Sequence, residues 1–178
     1  YKQFGQWFVE PIAYAYRFNS QLYTADGSGE LGVLRYKQIG AVLTGGYVLG
    51  NWGDIRVGVQ LGGIQELKGS VPTGLPQGWN EDVRLSAGLR IDTLDSLIFP
   101  KHGTQINLDF TDFVGALGGD ITGQAFEFYG NKPITFGRTS VVLGGRFGAT
   151  QNLNYDFLGP YKLGGLFNLS GYPLNSLV

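Results

Sequence analysis

Apolar and polar residues alternate along much of this chain. From Asp82 to Asp92, Val83, Leu85, Ala87, Leu89 and Ile91 fall on one side, and Asp82, Arg84, Ser86, Gly88, Arg90 and Asp92 on the other. A period of two is the mark of a strand with one apolar and one polar face. The same pattern sets Ile55, Val57, Val59 and Leu61 against Arg56, Gly58, Gln60 and Gly62. It sets Ile39, Ala41, Leu43, Gly45, Tyr47 and Leu49 against Gln38, Gly40, Val42, Thr44 and Gly46. It recurs with Ile106, Leu108 and Phe110 against Gln105, Asn107 and Asp109, and with Val141, Leu143, Gly145, Phe147 and Ala149 against a face holding Arg146. Tyr14, Tyr16 and Phe18 mark a noisier first strand, and Phe126 and Phe128 the outward side of another. The pattern predicts seven strands, at 6–18, 31–48, 54–67, 81–92, 104–113, 121–130 and 138–150.

The connections sort by length. Leu49 to Gly53, Phe99 to Gly103 and Gly130 to Pro133 read as compact turns, whereas 19–30, 68–80 and 151–178 are longer and polar or rich in Gly and Pro. Short turns at one end and long loops at the other characterise outer-membrane barrels. The link at 114–120 is the exception, being short on the long-loop side. A barrel strand needs about 9–11 residues to cross the hydrocarbon, against about 5–6 for the mean soluble strand. A soluble antiparallel barrel or sandwich would alternate as well. Strand length favours the membrane, as do arginines spread along the polar face and aromatics near strand ends. Tyr47 and Trp52 stand near one edge, and Tyr16, Phe18 and Trp79 near the other, where rings with one wet side settle. The expected fold is all-β, a partial antiparallel transmembrane β-barrel forming one domain over 1–178.

Composition narrows this further. The 30 glycines disfavour helices, at about 1 kcal/mol per site relative to Ala. No run approaches the roughly 18 apolar residues of a membrane-spanning helix. Lys plus Arg total 13 and Asp plus Glu 14, a balance that argues against a nucleic-acid partner. With no cysteine there is no disulfide framework, thiolate metal site or thiol nucleophile. No secretory leader is visible at Tyr1, so either one has been removed or the chain begins within a longer protein. Seven strands would leave two open edges, which lipid does not tolerate, so the chain reads as an excised middle portion of a larger barrel.

The run Arg90-Ile91-Asp92-Thr93-Leu94-Asp95-Ser96-Leu97-Ile98-Phe99-Pro100-Lys101-His102-Gly103-Thr104 ends one strand, turns and starts the next. Its Asp92, Asp95, Phe99, Pro100, Gly103 and Thr104 resemble the D-T-x-D…F-P-x-x-G-T turn of the outer-membrane protein 85 superfamily, also called the bacterial surface antigen domain. A second run, Leu163 to Tyr172, resembles the loop that folds back into the barrel in that superfamily. Gly164, Gly165, Gly171 and Tyr172 match, and Ser170 stands where the family has an arginine. The variant is similar to the branch fused to patatin-like phospholipases. The resemblance implies a barrel of about sixteen strands in the bacterial outer membrane. It also implies periplasmic or passenger domains elsewhere in the parent, and a role as anchor and translocator of a patatin-like phospholipase. An assembly or translocation factor of the same superfamily and a porin-like barrel are the alternatives.

No catalytic constellation is expected within the chain. His102 is the only histidine and lies in the proposed turn, and no G-x-S-x-G elbow is present. Gly27-Ser28-Gly29 lacks the rest of a phosphate loop. Asp92 and Asp95 could hold a cation, but turn bonding suits them better. No cofactor or metal is expected. The expected partners are outer-membrane lipids, the remaining strands and domains of the parent, and a second copy as a homodimer. Leu85, Leu89, Val57, Leu108 and Leu143 should face lipid, and Arg84, Arg90, Arg56, Arg146 and Asn107 the lumen. The 99–103 turn should be periplasmic and the loops 68–80 and 151–178 extracellular. Loop 151–178 should tuck inside, with Ser170-Gly171-Tyr172 at its tip and Tyr172 on a floor of Gly58, Gly62, Gly88, Gly144 and Gly148.

Overall fold

The computed structural model describes residues 2–23 and 30–155. Eight strands form a single sheet: β1 (Lys2–Phe4), β2 (Trp7–Tyr23), β3 (Glu30–Val48), β4 (Gly53–Glu66), β5 (Asn80–Asp92), β6 (Gln105–Phe113), β7 (Gly123–Phe136) and β8 (Thr139–Gln151). Every neighbour is antiparallel and the order follows the sequence, β1 to β8. Among the described residues β1 and β8 each have one strand partner, so the sheet is unclosed, and the only helical element is a 3-10 turn at Gly115–Leu117.

Three boundaries differ from the sequence reading. A three-residue β1 precedes the first long strand, and β2 itself runs on to Tyr23. The β7–β8 turn lies at Gly137-Arg138, not at Gly130 to Pro133, and Gly137 supplies the positive φ of +61°. Pro133 belongs to β7 because β6 begins at Gln105, opposite Asn131, so no β6 residue faces Pro133 to need its missing N–H. The short 114–120 link is no free loop. Val114 N–H donates to Val83 carbonyl (2.9 Å), and Asp120 N–H to Glu81 carbonyl (2.8 Å), so it extends the pairing of β5.

The two faces differ as alternation requires. In register, Leu43, Val59 and Leu85 lie side by side on one face, as do Gly45, Val57, Ala87, Phe110 and Phe126. Val57 is 61% exposed, Leu61 57% and Leu43 51%. A soluble monomer rarely leaves a contiguous apolar patch of more than a few hundred Å² in water, and a larger one marks a membrane or protein contact. Lys37 Nζ lies 4.6 Å from the ring centre of Trp79 at one end of that face, and Trp7 meets Tyr47 edge-to-face at 5.0 Å at the other.

The opposite face curls inward. Gln38 on β3 bonds Asp82 on β5 at 2.6 Å, across the intervening β4. Tyr16 and Phe18 belong to this inner face rather than to an outer aromatic girdle. Tyr16 stands opposite Gln38, to whose Oε1 its hydroxyl donates, and Phe18 stacks on Tyr36 at 5.0 Å. Aromatics are tolerated inside here because a loop fills that end of the lumen.

Candidate functional site

The inner wall has three zones along the strand axis. The first is apolar and lies at the long-loop end. Leu34, Tyr36, Ile64, Phe113 and Ile121 are buried together, with Phe18, Val71, Leu75, Ala125, Leu153 and Tyr155 packed on them. Val71 and Leu75 belong to the 67–79 connection, which bends inward onto β3. Leu67 N–H donates to Arg35 carbonyl (2.9 Å), Val71 N–H to Val33 carbonyl (2.9 Å), and Arg35 N–H to Ser70 Oγ (2.9 Å). Gly, Pro and polar residues separate the apolar ones in this loop, and that concealed its two anchors, Val71 and Leu75. Phe113, Ile121, Leu153 and Tyr155 approach from the other side, so an apolar plug sits in the concavity of an otherwise polar wall.

The second zone is a buried polar knot. Asp82 is wholly buried and accepts from Arg84 Nε (2.7 Å), Arg84 Nη2 (2.6 Å), Gln38 Nε2 (2.6 Å) and Gln60 Nε2 (3.3 Å). A carboxylate out of water needs such donors, since an unpaired buried charge costs several kcal/mol. Gly62 lies beside Asp82 in register and beneath the Tyr14 ring: a Cβ there would sit 2.8 Å from the Tyr14 hydroxyl. Tyr14 therefore already occupies the Gly62 part of the floor offered to Tyr172. The Tyr14 hydroxyl is buried and has no hydrogen-bond partner among the described residues.

The third zone, toward the short-turn end, is charged and open. Arg56 pairs with Asp54 (2.6 Å) and lies 5.5 Å from the Phe8 ring, and Arg146 pairs with Glu127. Arg90 has no ion pair among the described residues. A cavity of about 390 Å³ opens here, between Glu10, Thr44, Arg56, Ser86, Arg90 and Asp109. Gly88 makes its floor, where a Cβ would meet Asp109 Oδ1 at 2.9 Å and Arg56 Cγ at 3.1 Å. The four arginines singled out from the sequence thus share the inner face. Three are neutralised by a neighbour on the wall, which makes the wall polar without a net field of one sign.

The turn motif lies at the short-turn end of the sheet, beyond β5 and β6. β5 and β6 continue as a ladder past Asp92 and Gln105, with Thr93 N–H on Thr104 carbonyl (3.0 Å) and Asp95 N–H on His102 carbonyl (3.2 Å). The Asp95 carboxylate accepts from the N–H groups of Lys101 (2.8 Å) and His102 (3.2 Å). Those bonds, Lys101 first, hold its pKa below the ordinary 3.8. Asp92 accepts from Leu94 N–H (3.1 Å) and Gln105 Nε2 (3.2 Å). Gly103 sits at φ +99°, and a Cβ there would collide with Thr93 carbonyl. Phe99 and Pro100 form the turn beside it, and Thr104 N–H donates to Thr93 Oγ1 (2.9 Å). The motif residues Asp92, Asp95, Gly103 and Thr104 are thus brought together as turn formers. Gly164, Gly165, Ser170, Gly171 and Tyr172, with the tucked loop they define, lie outside the described residues.

The geometry is that of a two-faced sheet, apolar on one side, with a polar, partly plugged inner wall on the other. The Omp85 superfamily domain matches residues 2–177. No curated protein matches the chain.

Proposed function

Because the chain belongs to the Omp85 superfamily, whose members are outer-membrane β-barrels with assembly or translocation roles, we propose that it is barrel wall from the anchor and translocator of a patatin-like phospholipase. The observation that carries the barrel reading is the two-faced sheet, with Val57, Leu61 and Leu43 outward and the Asp82 knot inward. The phospholipase reading rests on Leu163 to Tyr172, where Ser170 replaces the family's arginine. In this reading hydrolysis belongs to a domain beyond these residues, and the chain supplies anchorage and passage. Its partners are outer-membrane lipids, the strands that complete the barrel, the passenger domain and a second copy of the parent. Strand partners are a physical need, because each unpaired backbone group in hydrocarbon costs several kcal/mol.

The test is made on the full-length parent. Outer membranes carrying it should release fatty acids from phospholipid above the level of empty-vector membranes, and removal of residues 1–178 should abolish surface exposure of that activity. A folded, membrane-embedded parent that releases none removes the phospholipase reading. An assembly or translocation factor is the second reading, favoured by the match to the superfamily domain, which spans the chain without calling for any fused enzyme. The apolar plug on the inner wall opposes a passive porin, whose lumen is a water-filled channel.

A further inference from the structure

The most exposed large apolar side chains in the described structure stand in one short run. Leu97 is 88% exposed, Ile98 78% and Phe99 80%. They form the tip of the 93–104 turn, and they are not there for want of order. Ser96 Oγ accepts from the N–H groups of Ile98 (3.4 Å) and Phe99 (3.2 Å), and Asp95 closes the other side on Lys101 and His102. Thr135 Oγ1 on β7 donates to Lys101 carbonyl at 2.8 Å and ties the turn to the next hairpin. A wedge of three apolar residues is therefore held out ready-formed, so that its burial costs little ordering.

Two further observations select what covers it. The tip rises from the same end of the sheet as Trp7, Trp52 and Phe136, which are 63%, 46% and 69% exposed. Asp92 N–H donates to Trp52 carbonyl at 2.8 Å, so the base of the turn is level with that ring. The wedge thus continues the aromatic border of the lipid-facing belt. The flanking charges are positive. Lys101, Lys132 and Arg138 are exposed and have no carboxylate partner among the described residues, and they outnumber Asp92 and Asp95, whose carboxylates are held on turn donors, so the balance is positive. Apolar tips ringed by cations suit a layer of anionic headgroups over acyl chains.

We propose that the 93–104 turn is an interfacial anchor that seats Leu97, Ile98 and Phe99 in the adjoining leaflet and binds anionic phospholipid through Lys101, Lys132 and Arg138. This rests on the outer-membrane barrel reading, and the experiment separates the two. The full-length parent, with any other cysteines removed, carries one nitroxide label at Ile98, at Val57 in the belt, or at Gln77 in the 67–79 loop. Collision with oxygen and with a water-soluble nickel chelate is measured in phosphatidylcholine vesicles with and without phosphatidylglycerol. The label at Val57 should favour oxygen in both lipids, and that at Gln77 should favour nickel. The label at Ile98 should shift toward the oxygen preference of Val57 when phosphatidylglycerol is present. That shift should be lost in the triple variant Lys101→Gln, Lys132→Gln, Arg138→Gln. If Ile98 stays with nickel in both lipids while Val57 favours oxygen, the anchor is wrong and the barrel stands. Shielding of Ile98 from both collision partners would mean a protein surface covers the tip, and immersion indifferent to lipid charge would remove the anionic headgroup; either overturns the proposal. Nickel preference at Val57 would instead overturn the barrel reading itself.

Discussion

Replacing Asp82 tests how the inner wall is held. Asp82→Ala removes a wholly buried carboxylate that accepts from both nitrogens of one Arg84 face, at 2.7 and 2.6 Å, and from Gln38 at 2.6 Å. Deleting one partner of a buried pair costs roughly 3–5 kcal/mol, because the other charge stays behind uncompensated. Arg84 keeps 20% of its side chain exposed and can turn part of its guanidinium to lumen water, which points to the lower bound. The orphaned Gln38 amide adds to the cost, at about 1–3 kcal/mol for an unsatisfied buried donor. The expected loss is therefore about 4–6 kcal/mol in total. Arg84→Ala should cost at least as much, since the carboxylate it leaves behind is wholly buried and keeps only the neutral donors Gln38 and Gln60. The double variant should fall short of the sum by about 1–3 kcal/mol, as residues of one network do. Denaturant unfolding of the full-length protein in phospholipid vesicles, followed by tryptophan fluorescence, measures all three. A loss below about 1 kcal/mol for Asp82→Ala, or additivity within roughly 0.5 kcal/mol, would refute the view that this knot locks β3, β4 and β5 together.

Other outcomes are expected elsewhere in the sheet. Val57→Arg should destabilise by roughly 2–4 kcal/mol if it lies near the bilayer midplane, whereas Thr44→Arg on the inner face should cost much less in the same unfolding assay. Gly103→Ala should cost on the order of 1–3 kcal/mol, because φ +99° and the Thr93 carbonyl leave no place for a Cβ; a neutral outcome would mean that the turn rebuilds. The depressed Asp95 pKa stabilises the turn above the unfolded value near 3.8, and that stability is lost as pH falls through the lower folded pKa. Hydrogen-exchange protection at the Lys101 amide should therefore drop on acidification below 3.8. Asp95→Asn should flatten that profile, and protection that grows with acid would contradict the assignment. Val71→Asp should release the 67–79 connection from the plug and expose it to protease in the embedded protein, so an unchanged cleavage rate would show that the loop is held by something else.

The strands, their faces and the family were legible in the sequence because a period of two is a local property. From Val83 to Ile91 each side chain's side follows from its parity, and one register then carries that parity across β4, β5 and β6 without exception. The Asp92 to Thr104 turn was legible for the same reason: Asp, Pro and Gly at fixed offsets act on backbone only a few residues away. Residues that act at a distance were not legible. Tyr16 and Phe18 look like girdle aromatics until their pairing with Gln38 and Tyr36 puts them inside. Pro133 looks like a turn until β6 is seen to begin at Gln105, opposite Asn131, leaving its missing N–H harmless. Nothing in the order of residues tells Asp82 from the other carboxylates. Its burial depends on Gln38 reaching over β4 above a glycine floor, and on Arg84 folding back beside it. The plug likewise joins Leu34, Ile64, Phe113 and Val71 from four separate stretches of chain. Sequence determined which side each residue of the regular strands faces, because alternation is set residue by residue. Only the tertiary structure decided which of the inward residues meet, because that depends on how a sheet curls and which loop returns to fill it.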